Sequence, residues 1–321
     1  MNNFKKIGLT ALAASLVSVS AYAGEMSVAG SASVGVDNHS GNAGGKNLTM
    51  GNQLTFTGGG ELDNGLNVAL SFVLDQGDGV TAGTAPFDSH SITISSDAIG
   101  SIVIAGEGAG NAQSALDTTA AGDIWDNSFK HGAAETDYVG LVGSDATSNK
   151  AINYTLPTLM DDLSVSVSYE MGGAGVESST AYGVTYTGVE GLSVSYGAGE
   201  AASRTALLQG DLTTMKASYA IGSFTAAISE TESDLTTGTD EELSSFKISY
   251  TVTDDLSISY GEETHETSGQ TVDEEFSQVS ASYTTGGMTL SAAVQEATGL
   301  GNTAGAAGQA DRWKLGVSFA F

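Results

Sequence analysis

Hydrophobic and polar residues alternate with a period of two along most of the chain. Large apolar side chains occupy every second position in Leu66–Asp75, in Leu163–Met171 and in Arg312–Phe321. The positions between them are mainly Ser, Thr, Asn and Gly. Because a strand sends successive side chains to opposite faces, each such segment has one apolar and one polar face. The pattern predicts amphipathic β-strands.

Tyrosines recur at regular intervals and indicate a repeated hairpin. Intervals of 32, 33, 31 and 33 residues separate Tyr154, Tyr186, Tyr219, Tyr250 and Tyr283. Each interval contains a short turn, a longer polar loop and two alternating segments of about ten residues, the length that a tilted strand needs to cross a bilayer. We predict sixteen strands, at 26–36, 48–58, 65–75, 89–96, 100–107, 149–157, 162–171, 180–188, 191–199, 212–221, 223–231, 243–252, 255–264, 275–284, 287–297 and 311–321.

Three features favour a membrane barrel over a soluble sheet. The polar face stays polar in every strand, as a water-filled lumen requires. The five repeated tyrosines lie near short turns, whereas Tyr169, Tyr196 and Tyr260 lie near long loops, which predicts two aromatic bands at two depths. Short and long connections alternate. The predicted fold is therefore all-β, a 16-stranded antiparallel transmembrane β-barrel. A soluble extracellular β-protein is the alternative.

Residues 1–23 have the pattern of a secretory signal peptide. Lys5 and Lys6 precede the apolar segment Ile7–Val19, and Ala21–Ala23 forms an A-x-A cleavage site. An N-terminal anchor helix is the alternative, although the apolar run is short for a membrane span. We expect residues 24–321 to form the barrel domain, in the periplasm, in the outer membrane or outside the cell.

Composition excludes several kinds of function. The chain has no Cys, which removes disulfides, thiolate zinc sites and a Cys nucleophile. Ten Lys and Arg against 38 Asp and Glu give a net charge of −28, which argues against a nucleic-acid partner. No pair of histidines has metal-ligand spacing, and no nucleophile motif is found, so we expect no enzyme and no cofactor.

Two acidic segments, 230–242 and 262–274, are read as solvated surface loops. Weak binding of Ca²⁺ or Mg²⁺ by their carboxylates is the alternative, because hard cations prefer oxygen ligands. Such ions could bridge the loops to lipopolysaccharide phosphates.

The signal peptide, the hairpin pattern and two further segments resemble Gram-negative general diffusion porins of the alphaproteobacterial type. Asn149–Tyr169 is similar to a strand and hairpin of those porins, and Trp313–Phe321 is similar to their terminal strand. The resemblance implies an outer-membrane channel for passive diffusion of small hydrophilic solutes. It also implies a homotrimer that contacts lipopolysaccharide, a last strand read by the barrel-assembly machinery, and a subunit latch at 75–87.

The segment 108–148 is far longer than the other connections, and long connections are usually functional or disordered. It follows the fifth predicted strand and resembles the porin loop that folds into the barrel and narrows it. An ordinary surface loop is the alternative. Ile124 and Trp125 are expected to pack on the wall, and Asp117–Ala121 is expected to form a short helix capped by Asp117. Within this pore-constricting loop we expect three aspartates to form an acidic rim: Asp117, Asp123 and Asp126.

Four cations fall out of step with the apolar positions of their strands and are therefore expected on the lumenal wall: Lys216, Lys247, Arg312 and Lys314. A solvated charge at the rim is the alternative for each lysine. The first four predicted strands contain no Lys or Arg, which weakens the expected transverse field. Without Lys5 and Lys6 the net charge is 8 − 38 = −30, and this favours cation selectivity. Two other functions stay open: a substrate-specific channel, and a non-transporting surface or adhesive barrel.

Overall fold

A computed structural model describes residues 26–40, 45–75, 89–107, 110–125, 150–172, 178–201, 210–236 and 238–321. Sixteen antiparallel strands close into a barrel, in which each strand pairs with its sequence neighbours and the first pairs with the last. The strands are β1 (Met26–His39), β2 (Gly45–Glu61), β3 (Asn67–Asp75), β4 (Ser89–Ser96), β5 (Gly100–Glu107), β6 (Ala151–Thr155), β7 (Leu163–Glu170), β8 (Ser179–Val189), β9 (Leu192–Ala201), β10 (Gly210–Ile221), β11 (Phe224–Leu235), β12 (Glu241–Thr253), β13 (Leu256–Thr267), β14 (Glu274–Thr285), β15 (Met288–Thr298) and β16 (Ala310–Ala320). A 3₁₀ turn at Gly305–Gly308 precedes β16.

The predicted fold class is confirmed, and all sixteen predicted strands are found. The predicted acidic loops are mostly wrong, because β11 continues to Leu235 and β13 continues to Thr267. Glu232 pairs with Glu242, so the ladder of backbone hydrogen bonds continues through these polar residues. The connections that remain between these strands, 236–240 with its described residues 236 and 238–240, and 268–273, are shorter than predicted but still longer than the turns at the other end of the barrel. The strands extend beyond the residues with alternating apolar side chains, because strand pairing uses backbone groups and does not require a particular side chain.

The two faces of the wall have the expected chemistry. Val279 and Val294 are 59 % and 58 % exposed on the outer face, while the neighbouring Ser280 points inward. Tyr219 and Tyr283 lie on the outer face near short turns, and Tyr260 lies on the same face toward the long connections. Closure leaves no free sheet edge, so backbone groups within the hydrocarbon region are paired.

The last residue completes the seam between β1 and β16. The backbone of Phe321 both donates to and accepts from Gly30, at 2.9 and 2.7 Å. A Cβ on Gly30 would lie 2.3 Å from the Phe321 ring, so the ring packs over Gly30 and would have to shift for a larger residue. The chain end is therefore part of the barrel wall.

Several predictions fall outside the described residues: the signal peptide 1–23, the latch at 75–87 beyond Asp75, and the inserted segment beyond Trp125 with Asp126. Among the residues that the structure describes, no helix is long and apolar enough to span a membrane.

Candidate pore constriction

The segment Gly110–Trp125, called the inner loop below, lies inside the barrel. Its hydrogen bonds reach inward-facing side chains of β7, β10, β11 and β12: Ala112 N to Ser168 Oγ (2.9 Å), Gln113 Nε2 to Thr214 Oγ1 (2.8 Å), Ala120 N to Ser229 Oγ (2.7 Å) and Ala121 N to Ser245 Oγ (2.9 Å). The prediction of an inserted loop is thus confirmed for its described part. The loop follows the inner wall across a row of neighbouring strands.

The expected helix at Asp117–Ala121 is wrong. The inner loop instead has turns at 112–116 followed by bends. Asn111 Oδ1 accepts hydrogen bonds from the amides of Gln113 and Ser114, at 3.0 and 2.8 Å, so Asn111 is the capping residue. Gly122 and Asp123 have φ values of +96° and +55°, which a helix does not allow.

Glycines on the wall let the inner loop approach closely. A Cβ on Gly261 would lie 2.8 Å from Cβ of Ala121, and a Cβ on Gly183 would lie 2.6 Å from the carbonyl oxygen of Ala112. Sequence reasoning missed these residues. The available sequence signal for this close contact was a glycine at an inward position of β8 and of β13, where the other inward residues carry side chains.

An apolar cluster fixes the far end of the inner loop. Ile124 is fully buried and packs with residues of β14, β15 and β16 and of the connection before β16: Phe276, Ala297, Leu300 and Ala310. Trp125 is partly buried against the same cluster. The expectation that Ile124 and Trp125 pack on the wall is confirmed. The hydrophobic core thus lies between the loop and the wall.

Two of the three predicted rim aspartates are described. Asp123 Oδ1 accepts a 2.9 Å hydrogen bond from the Thr119 amide, and the Asp123 amide donates to Thr119 Oγ1 at 2.7 Å. Asp123 therefore shapes the turn. Asp117 is partly exposed, and burial together with the nearby charge of Asp123 raises its pKa to about 6, against the opposing effect of Lys216. Asp126 lies outside the described residues.

The four predicted basic residues all face inward, but they fall into separate groups. Lys216 Nζ donates to the backbone carbonyl of Thr118, so Lys216 belongs to the loop side of the lumen. Lys247 shares the inward face of β12 with Ser245. Arg312 and Lys314 lie on β16 beside β1.

Asp37 and His39 were missed by sequence reasoning. Asp37 Oδ2 lies 3.1 Å from Arg312 Nη2, and Asp37 Oδ1 lies 2.8 Å from His39 Nε2. Both residues occupy inward positions at the end of β1. The alternation of apolar and polar residues along β1 was the sequence signal that could have placed them in the lumen. The carboxylate offsets part of the positive charge on β16.

Much of the negative charge lies outside the lumen. Acidic residues occupy outward positions on β9–β16, at the end of the barrel with the long connections: Glu200, Asp211, Glu230, Glu232, Asp234, Glu242, Glu262, Glu266, Glu275, Glu296 and Asp311. We call this set the outer acidic belt. The net charge of the chain therefore does not describe the charge of the lumen. No group of three or more His, Asp or Glu side chains within the described ranges is arranged to hold a metal ion.

Comparison with known proteins agrees with this architecture. A family profile described as Gram-negative porin matches residues 8–321. No curated protein matches the sequence at a significant level.

Among solved structures, an anion-selective porin from Comamonas acidovorans superposes with a TM-score of 0.68 at 15 % identity, covering 92 % of this chain and 99 % of that one. OmpT of Vibrio cholerae gives a TM-score of 0.65 at 14 % identity, covering 94 % of this chain and 99 % of that one. A mutant of the Rh. blastica porin gives 0.65 at 15 % identity, covering 92 % of this chain and 100 % of that one. At such identities the likeness concerns the fold.

Proposed function

The chain belongs to the Gram-negative porin family and is an outer-membrane channel, and we propose that it passes ions and small hydrophilic solutes by passive diffusion. The observation that supports this best is the inner loop, which hydrogen-bonds to the polar inner face of a closed barrel. A loop in this position narrows the lumen and limits the size of solutes, while the polar wall keeps the passage wet. No step of such transport requires a cofactor or a reaction.

We further propose a preference for cations. Asp117 and Asp123 lie on the inner loop, and the outer acidic belt gives the mouth of the barrel a negative potential that concentrates cations at low salt. Asp37 also offsets the positive charge of Arg312, which would otherwise favour anions. Because the Comamonas neighbour is anion-selective, the fold alone does not decide the sign, and these residues carry the proposal.

The assembly that we propose is a homotrimer in contact with lipopolysaccharide. The outward positions of β1 include the small residues Gly30 and Ala32, and the neighbouring Leu48 and Met50 of β2 are 64 % and 65 % exposed. An apolar face of this kind suits either lipid or a second subunit. Phe321, which hydrogen-bonds to Gly30 directly after β16, is a candidate signal for the barrel-assembly machinery.

The test is a planar bilayer recording of the purified mature protein under a KCl gradient. Discrete conductance steps support the channel, steps in groups of three support the trimer, and the sign of the reversal potential reports selectivity. Anion-selective steps would keep the channel and reject the cation preference. A folded, heat-modifiable protein that gives no steps would reject the channel and favour a non-transporting surface protein.

A further inference from the structure

One carboxylate of the wall binds both ends of the turn 119–125. Glu263 faces inward on β13 and is only 1 % exposed. Its Oε2 accepts a 2.7 Å hydrogen bond from the Trp125 amide, and its Oε1 accepts the hydroxyl of Thr119. A carboxylate only accepts hydrogen bonds, so its two oxygens can serve two donors of the loop at once.

Glu263 is the last member of a row that follows the inner loop. Ser229 pairs with Ser245 in the ladder, and Ser245 pairs with Glu263. The two serines bind the successive amides of Ala120 and Ala121. Glu263 accepts two hydrogen bonds from the inner loop, whereas each serine accepts one, so Glu263 makes the most contacts with the loop in this row.

Thr119 links Glu263 to the other residues of the turn through hydrogen bonds. While its hydroxyl donates to Glu263, the same oxygen accepts the amides of Gly122 and Asp123, at 3.0 and 2.7 Å. The contact with Trp125 acts beside Ile124, which is fully buried. Glu263 therefore fixes the turn that carries Asp123 and the start of the apolar anchor.

We propose that Glu263 is the positioning residue that keeps the inner loop in one place and so gives the pore a single cross-section. The inference rests on the proposed function, because a loop position matters only in a conducting barrel. Without Glu263 the amide of Trp125 and the hydroxyl of Thr119 lose the acceptor that they share, and displaced loop positions become populated.

Two variants test the proposal by single-channel recording. Glu263→Gln keeps the side-chain shape but replaces one acceptor by a donor, and Thr119→Val removes the hydroxyl from the loop and leaves the strands unchanged. Both are expected to raise the population of displaced loop states by about tenfold, seen as greater open-channel noise, sublevels and closure at lower voltage. Glu170→Gln is the matched control, since Glu170 is a buried inward carboxylate that binds Ser179 on the neighbouring strand.

The outcomes separate the positioning role from the proposed channel. The role of Glu263 would be overturned if both variants fold and show the same noise and closing voltage as wild type. It would also be overturned if Glu170→Gln changes the current as much as Glu263→Gln does. If Glu263→Gln does not fold, Thr119→Val decides, because its change lies on the loop. A wild-type protein without conductance would instead reject the channel itself. Heat-modifiability on gels, unchanged in the variants, excludes a general loss of stability.

Discussion

Asp37 on the first strand and Arg312 on the last strand form an ion pair across the seam that closes the barrel, with Oδ2 and Nη2 3.1 Å apart. Both side chains are largely withdrawn from solvent, and His39 contacts the other oxygen of Asp37. The pair can form only when β1 and β16 meet. It links barrel closure to the charge of the lumen, because Asp37 offsets a cation that would otherwise attract anions.

Replacing Asp37 by Asn is expected to shift ion selectivity toward anions. The variant removes the negative charge beside Arg312 and near Lys314, so the positive charge of this part of the lumen increases. The reversal potential in a KCl gradient measures the change. The loss of a partly buried pair also lowers the free energy of unfolding, by about 1–3 kcal/mol, measured by urea titration.

Glu262→Gln is the control for Asp37→Asn, since it changes the net charge equally but lies in the outer acidic belt. At high salt its reversal potential is expected to match wild type, because exposed charges beyond a Debye length are screened. Equal shifts in both variants would show that net charge, and not the seam pair, determines selectivity.

Lowering the pH through about 6 is expected to weaken the cation preference. The pKa of Asp117 is raised from 3.8 to about 6, first by burial and then by the charge of Asp123, so Asp117 is charged above this pH and neutral below it. Reversal potentials at about pH 7.5 and about pH 5 measure the loss. Asp117→Asn should give the lower preference at both pH values, and a wild-type preference that stays constant would contradict the prediction.

The same shift has a consequence for stability. Because the folded pKa lies above the unfolded value, the folded loop favours the protonated carboxyl, and stability falls as the pH rises from about 4 to about 6. Above that range the contribution of Asp117 is constant. Closing voltages recorded across the range would show whether the inner loop is held more firmly at low pH.

The strand pattern was readable from sequence because each strand meets water on one side and lipid on the other. Val279 and Ser280 show this at adjacent positions, one exposed on the outer face and one inward. The inward direction of Arg312 and Lys314 followed from the same alternation. Local pattern suffices where the solvent of each face is uniform.

Contacts of the inner loop could not be predicted in the same way. Glu263 lies 138 residues from Trp125 in sequence, and only the barrel register brings Ser229, Ser245 and Glu263 into one row. The sequence predicts loops at the acidic ends of β11 and β13 because it does not show where lipid ends. Partners of a loop depend on strand register and tilt, which alternation alone leaves open.

The assignment of adjacent residues to the lipid-facing and lumenal faces can be tested with two single lysine substitutions. Val279→Lys places a charge on the lipid-facing surface, at a cost of about 2–4 kcal/mol at the bilayer midplane, whereas Ser280→Lys points into the aqueous lumen, beside Arg312 and Lys314, at a lower cost. Folding into vesicles, measured by heat-modifiability and urea titration, should be impaired more for the first than for the second. The reverse order would mean that the assigned faces are exchanged.

Replacing Gly261 by Val is expected to lower conductance without adding noise. A Cβ at this position would lie 2.8 Å from Cβ of Ala121, so a larger side chain lifts the inner loop off the wall and into the lumen. The attachments through Glu263 and Ile124 flank Ala121, so only the short segment around Ala121 is displaced and the loop still occupies one position. We expect unit conductance to fall by about a third, because current follows the open cross-section of the pore.

Gly58→Val is the control for adding a valine to a strand without touching the loop, because Gly58 is an outward β2 glycine with open space around its Cβ position. Its unit conductance should equal that of wild type. A rise in conductance for Gly261→Val would mean that the side chain drives the inner loop away from the passage instead of into it. A noisy, multi-level current would mean that the contact at Gly261, and not Glu263, holds the loop in one position. Gly261→Val and Glu263→Gln together therefore distinguish the effect of the distance between loop and wall from the effect of the hydrogen bonds that attach the loop.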